Sequence, residues 1–190
     1  YYPGQVCFLN ADVLLINKID TADPKMVNKV RENIRKYNPK SIVVEGASPI
    51  KVDVPELIKN KKVLVVEDGP TLTHGGMKFG AGTLAANKFG ASEIIDPRKS
   101  AVGKISRTFK RYPEVGKVLP AMGYDEKQRK DLQETINSSD CDSVIIGTPI
   151  DLGKLIDIDK PYVKVEYYLQ EIGKPDFDYL LEEFIEKHKL

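Results

Sequence analysis

The chain has 190 residues, 41% of them hydrophobic, and its 29 basic and 28 acidic side chains leave a net charge of +1. That length suits one α/β domain or one and a half small ones, and the apolar share excludes an intrinsically disordered chain. The near-neutral balance argues against a nucleic-acid binder, and no apolar run has the length of a membrane span or the form of a signal peptide.

Taken in order, short apolar runs alternate with helical periodicity, the pattern of an α/β fold. Val13–Ile16 reads as a strand. Asp23 caps a helix opened by Pro24, with Met26, Val27, Val30 and Ile34 on one face, and Asn38-Pro39 ends it. Residues 41–45 form the next strand, and 55–58 a short helix at most. Residues 63–66, Val-Leu-Val-Val, are the strongest buried strand. A helix over 84–89 ends at Gly90, and strand 93–96 stops at Pro97. A helix over 102–111, a strand over 115–119 and a charged helix over 125–137 follow. Ser143–Gly147 is a strand, Tyr162–Tyr167 alternates like an edge strand, and 176–189 is a helix with Phe177, Leu180, Leu181, Phe184 and Ile185 facing inward. The sum is a three-layer α/β/α fold with a mostly parallel sheet, P-loop NTPase-like or Rossmann-like. Lys59-Asn60-Lys61-Lys62 marks a division into 1–60, the end of a nucleotide-binding unit, and 61–190, a second α/β unit that could be continuous with the first.

Cys7 and Cys141 read as buried, reduced thiols of a cytoplasmic protein, and with His74 and His188 they match no zinc spacing. Abundant Lys and Glu without Trp is a thermophilic composition. Because the chain starts at Tyr1 without signal-peptide character, it reads as the carboxy-terminal part of a longer protein.

Asn17-Lys18-Ile19-Asp20 directly follows the first strand and matches the N-K-x-D pattern that reads guanine. A carboxylate at Asp20 accepts from the N1–H and the 2-amine of guanine, and adenine offers neither donor. The Lys18 stem lies over the base, and Asn17 ties neighbouring loops together. Ala47 and Ser48, after the next strand, stand where a backbone N–H meets the guanine carbonyl. A phosphate loop is missing. The nearest stretch, residues 101–106, lacks both the first Gly and the Ser or Thr after the Lys, so the loop is expected ahead of Tyr1.

The stretch from Glu67 to Gly82 is the densest in chemistry-bearing residues. Glu67 and Asp68 end the buried strand, a setting for Mg²⁺. Gly75, Gly76, Gly80 and Gly82 leave backbone N–H groups open to a phosphate ahead of a helix. Thr71, Thr73 and His74 bring hydroxyls and an imidazole, so Asp68, Thr73 and His74 are the catalytic candidates. The alternative is a strand-to-helix crossover that needs glycine for packing. Arg98, Lys99, Lys104, Arg107, Lys110 and Arg111 form a solvated basic face or a phosphate clamp.

These segments, with 119–124 and 147–152, resemble the carboxy-terminal half of the predicted GTPases grouped with cyclic 2,3-diphosphoglycerate synthetase. The resemblance covers most of the chain, and the stretch from Asp68 to Met77 is its most specific part. It implies a larger protein with a P-loop ahead of the N-K-x-D segment, and either nucleotide hydrolysis or nucleotide-dependent closure of a phosphoanhydride. The expected cofactors are GTP or ATP with Mg²⁺; Asp20 favours guanine, whereas the named synthetase uses ATP. The expected partners are the nucleotide and a small phosphorylated substrate, with neither nucleic acid nor membrane, and a homo-oligomer is compatible with the chain. The rival readings are a non-catalytic nucleotide-sensing or assembly domain and a Rossmann-type small-molecule enzyme, the latter disfavoured by the lack of G-x-G-x-x-G after a strand.

Overall fold

A computed structural model describes residues 3–73, 79–123 and 125–189. The chain forms two compact units, one from residues up to Pro49 together with those from Tyr168 onward, the other from Ile50 to Tyr167. The change of unit falls at Pro49 rather than near Asn60, and the chain's end returns to the first unit. Each unit has its own sheet.

The first unit holds α1 (Gly4–Asn10), β1 (Val13–Ile16), α2 (Pro24–Tyr37) and β2 (Ile42–Ala47), then β9 (Gln170–Ile172) and α7 (Phe177–His188). Its strand order is β1-β2-β9, with β1 and β2 parallel and β9 antiparallel to β2. The α2 helix starts as its sequence dictates: Pro24 takes the first position and the Asp23 side chain accepts from Lys25 N–H at 2.8 Å. Val27 and Ile34 pack on Leu14, Ile16 and Val43. Asn38 ends the helix, and its amide donates to the carbonyls of Phe8 (2.8 Å) and Ala11 (2.9 Å), tying α1 to that end.

Two helical faces differ from the sequence expectation. Met26 and Val30 of α2 stay exposed, Met26 at 55%, so the buried stripe is narrower than the apolar one. In α7 no residue is buried, and Leu181 is 57% exposed. Periodicity creates an apolar stripe but cannot say whether a partner element covers it. Cys7 is likewise exposed rather than buried, because α1 buries none of its residues.

The second unit contains β3 (Ile50–Val52), β4 (Lys62–Asp68), α3 (Gly69–Thr73), α4 (Ala81–Lys88), β5 (Glu93–Ile94), α5 (Gly103–Arg111), β6 (Leu119–Ala121), α6 (Glu126–Asn137), β7 (Ser143–Gly147) and β8 (Tyr162–Tyr167). The sheet runs β3-β8-β7-β4-β5, and β6 also pairs with β4. All pairings except β3–β8 are parallel. Central β4 and β7 are buried on both faces, as their unbroken apolar runs require. With helices packed on the largely parallel sheet, the architecture is the three-layer α/β/α expected.

Two strands fall elsewhere than expected. The strand after α5 is Leu119–Ala121, not 115–119, because Arg98 donates to the carbonyls of Pro113, Val115 and Gly116 and so holds that segment as a loop. Although β8 alternates like an edge strand, it lies between β7 and β3: the short antiparallel β3 covers its outer side while Val163 and Val165 turn into the core. No helix among the described residues is long and apolar enough to cross a membrane.

Candidate functional site

In the first unit, the ends of β1 and β2 carry the N-K-x-D segment and its companion. The strands run parallel with Ile16 opposite Glu45, so Asn17 leaves β1 beside Gly46, which continues in β2 paired with β9. Ile19 N–H donates to the Gly46 carbonyl at 3.1 Å and extends the join beyond the strands. Lys18 adopts a left-handed backbone, φ 62°, which turns the chain sharply at the strand end. Thr21 and Ala22 N–H both donate to its carbonyl.

Ser48 links the two loops twice. Its N–H donates to Asp20 Oδ1 at 2.9 Å, and its hydroxyl donates to Asn17 Oδ1 at 3.1 Å. Asn17 Oδ1 also accepts from Lys18 N–H at 2.8 Å. Ala47 and Ser48 are buried, whereas Asn17, Lys18 and Asp20 are exposed. The loops are therefore pinned from below while the polar ends face solvent. Asp20 Oδ2 has no hydrogen-bond partner among the described residues, and Oδ1 retains a second lone pair. The Ser48 N–H, expected at a base carbonyl, is instead spent on orienting Asp20. Gly46 permits the close packing beneath, since a Cβ there would lie 2.5 Å from Leu169 Cδ1.

Upstream on β2, Glu45 receives Arg31 Nε at 2.5 Å and Nη2 at 2.7 Å. That bidentate pair holds the Glu45 carboxyl below its ordinary range, with the Arg31 hydrogen bond the largest cause. Sequence reasoning did not connect these residues; the available signal was an acidic residue at a strand end facing a helix with basic residues four apart.

In the second unit, Glu67 is 2% exposed at the end of β4. Its Oε1 accepts from Gly80 N–H (3.0 Å), Thr83 N–H (2.8 Å) and the Thr83 hydroxyl (3.0 Å), and its Oε2 from Gly82 N–H (3.3 Å). The Glu67 carboxyl is thus seated on the first turn of α4. Burial pushes the Glu67 carboxyl up, against these hydrogen bonds, which pull it down. The glycines are needed for the fit. A Cβ on Gly80 would lie 2.5 Å from Glu67 Oε2, and one on Gly147 2.5 Å from Gly82 N. Gly80 and Gly82, expected to meet a phosphate, thus direct their N–H groups to Glu67, and Glu67, expected beside Mg²⁺, has its oxygens on protein donors.

Asp68 ends β4 one residue later, half-buried and in register with Ala121 of β6. The Thr73 hydroxyl donates to the Gly69 carbonyl at 3.0 Å and lies 3.9 Å from Met122 Sδ. His74, Gly75 and Gly76 lie outside the described residues. Among the described residues, no three His, Cys, Asp or Glu side chains are grouped to hold a metal ion.

The basic set is dispersed. Arg98 forms an ion pair with Asp96 at 3.1 Å and sits over the Phe109 ring at 4.7 Å, and Lys104 pairs with Asp125 at 3.2 Å. At the start of α5, Lys104 N–H donates to Asp131 Oδ2 at 2.8 Å, so a protein carboxylate occupies the place a phosphate would take in a Walker loop. Burial pushes the Cys141 thiol up, away from the reactive thiolate.

No known protein-family pattern matches the chain. It is related to arginine synthetase ArcE of Thermococcus kodakarensis, with 60% identity over 184 residues. The alignment takes in 97% of this chain but 41% of that relative, so the chain spans well under half of the relative's length.

Proposed function

We propose that the chain is part of a nucleotide-dependent synthetase and that its first unit holds the base of the nucleotide. The observation that carries this reading is the double link from Ser48 to Asp20 and Asn17, which presents a pinned carboxylate to solvent at the carboxyl ends of two parallel strands. Asp20 Oδ2, with the second lone pair of Oδ1, meets the two donors of guanine, and Lys18 covers the base plane. GTP is therefore favoured over ATP.

The relative's name supports a synthetase, and it favours an amino-acid product over both simple GTP hydrolysis and the cyclic phosphoanhydride of 2,3-diphosphoglycerate. On this reading nucleotide cleavage drives bond formation in a small acceptor, phosphorylated before or during the reaction, inside a cytoplasmic enzyme. In the second unit, taken by itself, Asp68 is the carboxylate that would meet Mg²⁺, which would supply charge neutralisation at a phosphoryl group. Glu67 fits such a metal poorly, because its oxygens already carry protein hydrogen bonds. Thr73, His74, Gly75 and Gly76 would complete the phosphate-facing loop.

In the intact protein Asp20→Asn should shift the ratio of GTP to XTP affinity toward xanthine by about 10- to 100-fold, because the amide brings a donor to where the xanthine carbonyl sits. Competitive titration of both nucleotides against both forms measures it. An unchanged ratio means that Asp20 does not face a base. Arginine formation dependent on GTP tests the synthetase reading directly; nucleotide binding without any turnover would favour a sensing or assembly role.

A further inference from the structure

A cavity of about 360 Å³ opens within the first unit between α2 and the β2–β9 strand pair, a volume in the range of small-molecule sites. The topology explains it. The α2 helix packs on β1 and β2, and β9 is the sheet's edge strand, so Ile172, which faces Glu45 across the β2–β9 pairing, remains 46% exposed. Ile34, Val43, Ile172 and Pro175 make the apolar walls.

The polar side is cationic. Arg31 and Arg35 stand four residues apart on α2 and so share a face. Arg31 is held by Glu45 through Nε and Nη2 and by Asn28 through Nη1 at 2.7 Å. Those bonds use three of the five guanidinium N–H groups and fix the plane, leaving two donors without a partner among the described residues. Charge decides what the cavity can accept. Glu45 balances Arg31, and Asp176 balances Lys174, which also lines the cavity. Arg35 has no ion-pair partner among the described residues, so one positive charge is unmatched.

We propose that this cavity binds a small aliphatic monocarboxylate. Its carboxylate lies between Arg35 and the open N–H groups of Arg31, and its hydrocarbon part lies on Ile34, Val43, Ile172 and Pro175. Inorganic phosphate would bring excess negative charge and no group for the apolar walls. An amino acid would bring an ammonium to a place where the lining carboxylate, Glu45, is already paired.

The test is calorimetric and NMR titration of the intact protein and its variants with three probes: 4-methylpentanoate, the uncharged 4-methylpentanamide and inorganic phosphate. The carboxylate should bind with shifts confined to α2, β2, β9 and the segment through Pro175, and the amide should bind about tenfold or more weaker. Arg35→Ala should weaken carboxylate binding by about tenfold or more, the scale of one charge-assisted contact, while Lys29→Ala, on an exposed position of the same helix, leaves it unchanged. The proposal is overturned by phosphate binding as tightly as the carboxylate, by equal affinities for acid and amide, by an indifferent Arg35→Ala variant, or by no binding of 4-methylpentanoate.

Discussion

Glu67→Ala should destabilise the unit from Ile50 to Tyr167 by about 3–5 kcal/mol, because it strips the partner from three backbone N–H groups and a hydroxyl at a buried helix start and leaves a cavity there. Glu67→Gln keeps one oxygen for the Gly80 and Thr83 donors but sets an amide N–H₂ against the Gly82 N–H, and should cost about 1–2 kcal/mol at neutral pH. The two variants also separate packing from charge. The native Glu67 carboxyl is raised above its ordinary 4.5, so the folded state binds its proton more tightly than the unfolded state. The stability this contributes is fully present below the unfolded value and is lost as pH rises through the folded one. The difference in unfolding free energy between wild type and Glu67→Gln should therefore shift in favour of Gln as pH rises across that window. Urea denaturation at a series of pH values measures it. A difference that is flat with pH would mean that the four hydrogen bonds fully offset burial.

Asp68→Ala should lower kcat of the intact protein by about 100-fold or more with nucleotide and Mg²⁺ present, the scale of losing one electrostatic stabiliser of a transferring phosphoryl group. Its neighbour makes the experiment discriminating. Glu67 and Asp68 are consecutive on β4, so their side chains leave opposite faces of the strand. Glu67 is buried against α4, and Asp68 sits beside Ala121 of β6 at the strand's carboxyl end. A purely structural Asp68 would reduce melting temperature and leave turnover per folded molecule intact. A metal-bridging Asp68 would instead reduce turnover and its Mg²⁺ dependence, with melting temperature little changed. Wild-type kcat in folded Asp68→Ala would remove this carboxylate from the chemistry.

Much of the local structure was legible in the residues. Val13–Ile16, Ser143–Gly147 and Tyr162–Tyr167 are strands within those bounds, because apolar runs and alternation act over a few neighbours. The cap at Asp23 marks the start of α2 for the same reason: its side chain accepts from the Lys25 N–H two residues on. The strand-end placement of Asn17 through Asp20 was equally readable. The partners of that segment were not. The Ser48 contacts join residues 28 and 31 positions apart, and no local pattern encodes which of the Ser48 donors reaches which acceptor.

The sequence by itself determined the alternation of strands and helices, the start of α2 and the position of the acidic end of β4, since propensity, capping and burial pattern are short-range effects. Only the tertiary structure decided that residues 170–172 close the first sheet beside β2, that β8 is flanked on both sides, and that Glu67 turns back to the start of α4. It also decided that the apolar stripe of α7 stays exposed. Each of these depends on which surfaces meet across long separations in the chain, and an apolar or charged side chain declares what it can pair with, not what the fold will place against it.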